Sequence, residues 1–228
     1  MQLTEQTLNV LRNFASINSN IIINEGNLLK TISEAKNLLA TTTLDVEFPQ
    51  TFGIYDLNEF LSVLSLVDSP NLTFNDDYVL VGDSSGRSRI KYYFSDIDIL
   101  TKPKKDIVMP ECEVSFILDR STMSKVKKAA SVLGHTELSV SVIDNVLSLS
   151  VIDNNDKTAN VFSTDVDGKF TDTNFNFVFG ISNLKMIDGD YEVFVSSKLI
   201  SKFVSINQNA NLQYWCALEK SSFYGENV

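Results

Sequence analysis

Apolar and polar positions alternate along most of this chain, and four stretches interrupt the alternation with a helical repeat. The first is TEQTLNVLRNFASIN, residues 4–18. At 100° per residue, Leu8, Val10, Leu11, Phe14 and Ile17 gather on one side, and Asn9, Arg12, Asn13 and Ser16 lie opposite. The second, IYDLNEFLSVLSLVD at 54–68, begins as a strand ends. Its apolar side is Leu57, Phe60, Leu61, Leu64 and Val67. Its polar side offers Asn58, Glu59 and Ser62, with no cation, nucleophile or histidine. The third, DRSTMSKVKKAASVL at 119–133, sets Met123, Val126, Ala129, Ala130 and Leu133 against Lys128, Ser121 and Ser124. Lys125 flanks that polar side on one edge, and Arg120 with Lys127 on the other. The fourth, ISNLKM at 181–186, is long enough only for a helical turn.

Strand patterns follow each helix: NIIINEGNLLKTI and NLLATTTLDVEF after the first, NLTFNDDYVLVGDSSGRSRIKYYF after the second. ELSVSVIDNVLSLSV and TANVFSTDV follow the third, and DYEVFVSS, FVSIN and LQYWCALE the fourth. In LSVSV and LSLSV the serines occupy one face and the aliphatics the other, with IDN as the turn. Antiparallel sheets with one face on a core and one in water read this way. The plan is therefore α+β: antiparallel sheets with repeated amphipathic helices. Between the second and third units lies DILTKPKKDIVMPE, with two of the chain's four prolines and three lysines. Proline and the residue before it disfavour helix, so this is an extended connector. It divides the chain into a domain over 1–97, a connector over 98–110 and a domain over 111–228. Each domain holds two helix-plus-strands units, an internal repeat of pattern.

The chain has 228 residues and a formal charge of -10. That length buries a sizeable core. The charge argues against a surface coated in phosphate contacts, but not against cations gathered on one face. No apolar run approaches the roughly 20 residues of a membrane helix, and MQLTEQTLNVLRNF has acidic Glu5 where a signal peptide is basic. A cytoplasmic protein without a membrane partner is the expectation.

Candidate chemistry is sparse. Cys112 and Cys216 read as buried reduced thiols, and His135, the single histidine, as a turn or cap residue. One histidine and two scattered cysteines cannot make a four-ligand zinc site, and no G-x-S-x-G elbow is present. GDSSGRS at 82–88 lacks the spacing and ending of a phosphate loop and reads as a hairpin turn. STDVDGKFTDTN at 163–174 has Ser163 and Asn174 where a calcium loop needs carboxylates, with no flanking helices. No metal or cofactor is expected, nor an enzyme, because no motif pairs carboxylates in a pocket. The tail KSSFYGENV reads as polar and frayed.

One resemblance gives this plan a purpose. YDLNEFLSVLSLVD closely resembles the second helix of the trimeric sliding clamps of tailed bacteriophages, the DNA polymerase processivity factors. LRNFASINS (11–19) is similar to the end of that family's first helix, FNFVFGISNLKMIDGDYEV (175–193) to its second domain, and ALE (217–219) to its close. The resemblance implies two topologically similar domains per subunit and three subunits head to tail. It implies a closed ring around duplex DNA, helices lining the hole and sheets outside. An ATP-dependent clamp loader would open the ring, the DNA polymerase would hold it through a terminal peptide, and the loaded ring would also activate late transcription. Arg12 matches a basic position of the family's first helix, and Lys125, Lys127 and Lys128 correspond to a basic helix, so these four are expected to face DNA. Arg87, Arg89 and Arg120 are further candidates. The connector residues Ile107, Val108 and Met109 could line the partner-peptide pocket, or simply pack. Contacts to phosphates would be independent of sequence. Two other readings stay open here: a virion structural or assembly protein that never touches DNA, and an enzyme with an unrecognised carboxylate site.

Overall fold

Thr4 starts the first helix. Its hydroxyl accepts the Thr7 N–H at 3.0 Å, satisfying one of the amide donors that a helix N-terminus leaves open. The helix, α1 (Glu5–Ile17), buries Val10, Leu11, Phe14 and Ile17. In this computed structural model, which describes residues 1–83, 85, 87–103, 106–156, 158–206 and 211–225, four strands follow: β1 (Ile21–Ile23), β2 (Gly26–Ile32), β3 (Leu38–Phe48) and β4 (Phe52–Ile54). Then come α2 (Leu57–Ser65), β5 (Asn71–Phe74), β6 (Tyr78–Gly82), β7 (Arg89–Tyr93) and a single 3-10 turn at Ile97–Ile99. The pairing is antiparallel: β1 with β4, β2 with β3, and β5–β6–β7 as a three-stranded sheet.

The second stretch runs β8 (Val114–Leu118), α3 (Arg120–Leu133), β9 (Glu137–Ile143), β10 (Val146–Ile152), β11 (Phe162–Asp165), β12 (Gly168–Lys169) and β13 (Phe175–Gly180). A 3-10 turn at Ile181–Asn183 follows, then β14 (Tyr191–Ser196), β15 (Ile200–Ser205), β16 (Gln213–Ala217) and β17 (Phe223–Tyr224). One sheet has the order β11-β10-β9-β13-β17. A second antiparallel ladder runs β12-β8-β14-β15-β16.

The chain forms two compact units, Met1–Lys105 and Asp106–Val228. Residues 101–103 and 106–112 carry no regular structure. Among the described residues unit 1 runs helix, four strands, helix and three strands, and unit 2 places β8 first and then runs helix, five strands, a helical turn and four strands. In unit 2 the second helix is reduced to the Ile181–Asn183 turn, as expected of so short a stretch. Packing within each unit is aromatic at its centre. Phe48, Phe52, Phe74 and Phe94 meet at centroid distances of 4.8–6.2 Å in unit 1. Tyr191, Phe203 and Tyr214 meet edge to face in unit 2.

Three expectations are corrected. The serine face of β9 and β10 is not open to water: Ser139, Ser148 and Ser150 are all buried. The hairpin sits in the middle of its sheet, so each hydroxyl bonds a side chain on a flanking strand. Ser139 donates to Asn176, Ser148 to Asp165, and Ser150 pairs with Ser163 at 2.8 Å. Paired hydroxyls can be buried at little cost. The turn joining these strands is Asp144–Asn145, both at positive φ, the two-residue geometry that matches strand twist. The tail, second, is ordered through Gly225. Phe223 and Tyr224 pair with β13, and the Tyr224 ring lies parallel to that of Phe177. Residues 226–228 lie outside the described ones. Third, Cys112 is only half-buried, although Cys216 is fully buried; both are free thiols.

Candidate nucleic-acid interface

The exposed face of α1 carries Glu5, Asn9, Arg12 and Ser16 in one stripe. The helix is anchored from below. Asp45 on β3 accepts from the hydroxyls of Thr7 at 2.7 Å and Thr4 at 2.9 Å, and the Thr7 hydroxyl, then that of Thr4, hold its carboxyl below the usual range. Arg12 is exposed, but it is not a free cation. Its guanidinium lies 3.6 Å from the Glu5 carboxylate.

Helix α2 packs beside α1, joined by a 2.7 Å bond from the Leu57 N–H to the Ser19 carbonyl. Asp56 caps it by accepting from the amides of Asn58 and Glu59. Leu57, Phe60, Leu64 and Val67 are buried and Leu61 half-buried. Each fully buried side chain of this size contributes roughly 1.5–3 kcal/mol, so the apolar side holds the helix down. Asn58, Glu59 and Ser62 are exposed. The hydroxyls of Ser62 and Ser65 fold back onto the carbonyls of Asn58 and Ser62. The outer side of α2 is thus smooth, with its hydroxyl donors already used.

Helix α3 is different. The Asp119 cap accepts from the Thr122 amide and hydroxyl, both at 2.8 Å. Hydrogen bonds from the Ser121 side chain, then from Thr122, hold its carboxyl down at about 2. Gly134 closes the helix at φ 73, a left-handed conformation that a side chain disfavours. His135 follows it, its N–H on the Ala130 carbonyl and its Nε2 2.8 Å from the Asn160 carbonyl. Met123, Val126 and Ala130 are buried, and the helix packs on β10 and β11. Its exposed stripe is Ser121, Ser124, Lys125, Lys128 and Ser131, with Lys127 half-buried at the flank. The helix contains no acidic residue. Among the described residues none of the three lysines has a carboxylate within ion-pair distance. Arg120 is neutralised in part: its guanidinium lies 3.4 Å from Asp188, and its amide donates to Asp190 at 2.8 Å. The lysines therefore supply the accessible positive charge of this helix.

Arg87 and Arg89 are both exposed, on the β6–β7 loop and on β7. In the connector Val108 is 88% exposed, and Ile107 and Met109 are half-buried. Unit 1 contains a cavity of about 260 Å³, lined by Ile22, Ile97 and Pro103 with Lys30, Lys102 and Thr101 among its polar groups. Among the described residues, no group of three or more His, Cys, Asp or Glu side chains is placed to hold a metal ion. Among the same residues no helix is long and apolar enough to cross a membrane. The residues that alternation could not reveal are the long-range anchors, Asp45 under α1 and Asp188 with Asp190 beside α3.

Residues 4–109 match the family described as DNA polymerase processivity factor, and residues 116–220 the family described as the C-terminal part of the gp45 sliding clamp. The chain is 29% identical over 224 residues to the sliding clamp of Vibrio phage KVP40, covering 96% of this chain and 99% of that one. It is 27% identical over 233 residues to the sliding clamp of Escherichia phage RB69, covering 97% and 98%. Among solved structures it is similar to PCNA from Thermococcus kodakaraensis, with a TM-score of 0.69 over 95% of this chain and 98% of that one at 15% identity. At that identity the likeness is one of fold.

Proposed function

The chain belongs to the sliding-clamp family of DNA polymerase processivity factors, and we propose that three copies close head to tail into a ring through which duplex DNA passes. The observation that carries this reading is α3. A chain of charge -10 keeps one helix free of acids and places Lys125 and Lys128, without an ion-pair partner among the described residues, on its outer stripe.

A ring retains DNA by enclosing it, so its lining need not grip. Lysines on flexible stems form exchangeable phosphate contacts that carry no sequence information. The outer side of α2 has no cation to grip a phosphate, carries the single charge of Glu59 and keeps its hydroxyls bonded to its own carbonyls, which suits a surface past which DNA slides. The net negative charge of the remainder disfavours duplex DNA over most of the other surface. Arg12 contributes less than the lysines, because Glu5 offsets it. Head-to-tail closure needs one free strand edge from each unit. Among the described residues β7 pairs only with β6, and β11 only with β10; these edges are the candidates for continuing the sheet into a neighbour.

As a clamp the chain is a tether and not an enzyme. We place the polymerase's terminal peptide in the cavity lined by Ile22, Ile97 and Pro103, where Lys30 and Lys102 suit an acidic or carboxylate-bearing segment, in preference to exposed Val108. The ATPase that opens the ring and the late-transcription machinery would use the same outer surface, in the cytoplasm of the host cell. Retention on closed circular against linear DNA tests the ring.

A further inference from the structure

The three-stranded sheet β5–β6–β7 turns one face to solvent, and that face carries chemistry a channel does not need. In RIKYY of β7, Arg89, Lys91 and Tyr93 point one way and Ile90 and Tyr92 the other. Tyr92 packs on Phe60 with ring centroids 5.1 Å apart, so its side of the sheet is the inner one. The register sets Gly82 beside Arg89, Leu80 beside Lys91 and Tyr78 beside Tyr93. The rings of Tyr78 and Tyr93 meet at 5.6 Å, inclined at 52°. Lys91 Nζ lies 4.7 Å from the centre of the Tyr78 ring. Tyr93 is 65% exposed. At the arginine end the face sinks into a cavity of about 200 Å³ bounded by Asn71, Thr73, Leu80 and Arg89. Asp83, at its rim, turns its carboxylate into the loop, where it accepts from the amides of Arg87 and Ser88. It therefore leaves the cations facing outward. Exposed Asp76 and Asp77 lie at the opposite, tyrosine end.

We propose that this face binds single-stranded DNA without regard to sequence, with phosphates on Arg89 and Lys91 and an unpaired base stacked on Tyr93. Two cations on alternate residues of one strand stand roughly 6.6 Å apart and follow an extended phosphate chain. Three exposed cations within five residues, Arg87, Arg89 and Lys91, are complementary to that chain in a protein otherwise acidic. The tyrosines decide between single strand and duplex. Only unpaired bases offer ring faces for stacking, and base–aromatic stacking tolerates any base. The site lies outside the proposed channel and does not depend on it. A polymerase clamp travels beside a template that is single-stranded ahead of synthesis, so such a strand is at hand.

The test measures binding of the full chain to labelled oligo(dT) and to a mixed-sequence duplex across a salt series. Tyr93→Ala is expected to weaken oligo(dT) binding roughly five- to a hundredfold, while Tyr93→Phe, which keeps the ring, retains it. Arg89→Glu with Lys91→Glu should lower the salt slope by about 1.4, at 0.7 per phosphate of a single strand. All three variants change outward side chains and leave the backbone edge of β7 intact, so they should keep the parent's mass in solution and its duplex binding. Absence of oligo(dT) binding by the parent, or equal binding by Tyr93→Ala, overturns the proposal. So does a change of particle mass in these variants, which would make the face a contact between copies.

Discussion

Arg12 lies 3.6 Å from Glu5, two turns away along the outer stripe of α1. Both side chains are largely in water, and an exposed pair of this kind contributes about 1 kcal/mol at most. Its consequence is for charge and not for stability: the one cation of α1 is offset on its own helix. Glu5→Gln should therefore strengthen association with duplex DNA at low salt, by less than about fivefold. The gain should vanish at high salt, where exposed charges are screened. Titration of a labelled duplex at two ionic strengths checks this; an unchanged affinity at low salt would place Arg12 away from DNA.

Lys125 and Lys128 are exposed on α3 and have no ion-pair partner among the described residues. Replacing both by Glu should lower the salt slope of duplex association by about 1.8, at 0.9 per phosphate. Preference among DNA sequences should not change, because no base edge is read. Stability should stay within about 0.5 kcal/mol, since both side chains stand in water. Salt titrations with two unrelated duplexes, beside a denaturant melt, separate these outcomes. A parent-like slope would remove the lysines from the interface.

Asp119 holds the first turn of α3, and Asp119→Ala should cost about 1 kcal/mol, with Asp119→Asn recovering most of it. The carboxyl is held at about 2, below its ordinary value of 3.8, so folding favours its ionised form. That contribution is complete above pH about 4 and is lost as pH falls toward 2. Denaturant midpoints measured across this range should fall less steeply for Asp119→Asn than for the parent. Parallel curves would show that the cap does not depend on its charge.

Tyr191 and Tyr214 hold the backbone of one residue, Ile187, between them. Tyr191 donates its hydroxyl to the Ile187 carbonyl, and the Ile187 amide donates to the Tyr214 hydroxyl at 3.2 Å. Tyr214 is fully buried, and burial pushes both phenols well above their usual range. Tyr214→Phe leaves the Ile187 amide without its acceptor and should cost roughly 1–3 kcal/mol. Equilibrium unfolding measures it. DNA binding at temperatures where the variant is folded should match the parent.

Where a helix packs on a sheet with one face in water, the sequence was enough. Leu57, Phe60 and Leu64 repeat at the helical period, and they are the buried positions of α2. The lysine stripe of α3 follows from the same projection. Alternation alone misleads in β9 and β10, because a polar row looks the same whether water or a neighbouring hydroxyl satisfies it. Ser148 meets Asp165 only when a third strand is laid beside the hairpin. Phe223 and Tyr224 read as part of a polar tail because two residues carry no period; their partners are on β13, almost fifty positions earlier. The Arg12–Glu5 pair was legible in principle, since residues seven apart share a helix face. Asp45 beneath Thr7 was not, because it comes from a strand across the unit. The cation-and-tyrosine face of β7 escaped notice because its meaning depends on Tyr78, brought alongside by the register with β6.

The central claim is enclosure of DNA by a ring. The most direct measurement loads the protein with its ATPase onto closed circular DNA, and onto linear DNA of the same sequence with open ends, then follows the bound fraction over time. Enclosure predicts long retention on the circle, rapid loss from the linear form, and restored retention when bulky blocks cap both ends. Equal retention on circular and open linear DNA would contradict it, and would make this protein an ordinary surface binder of duplex DNA.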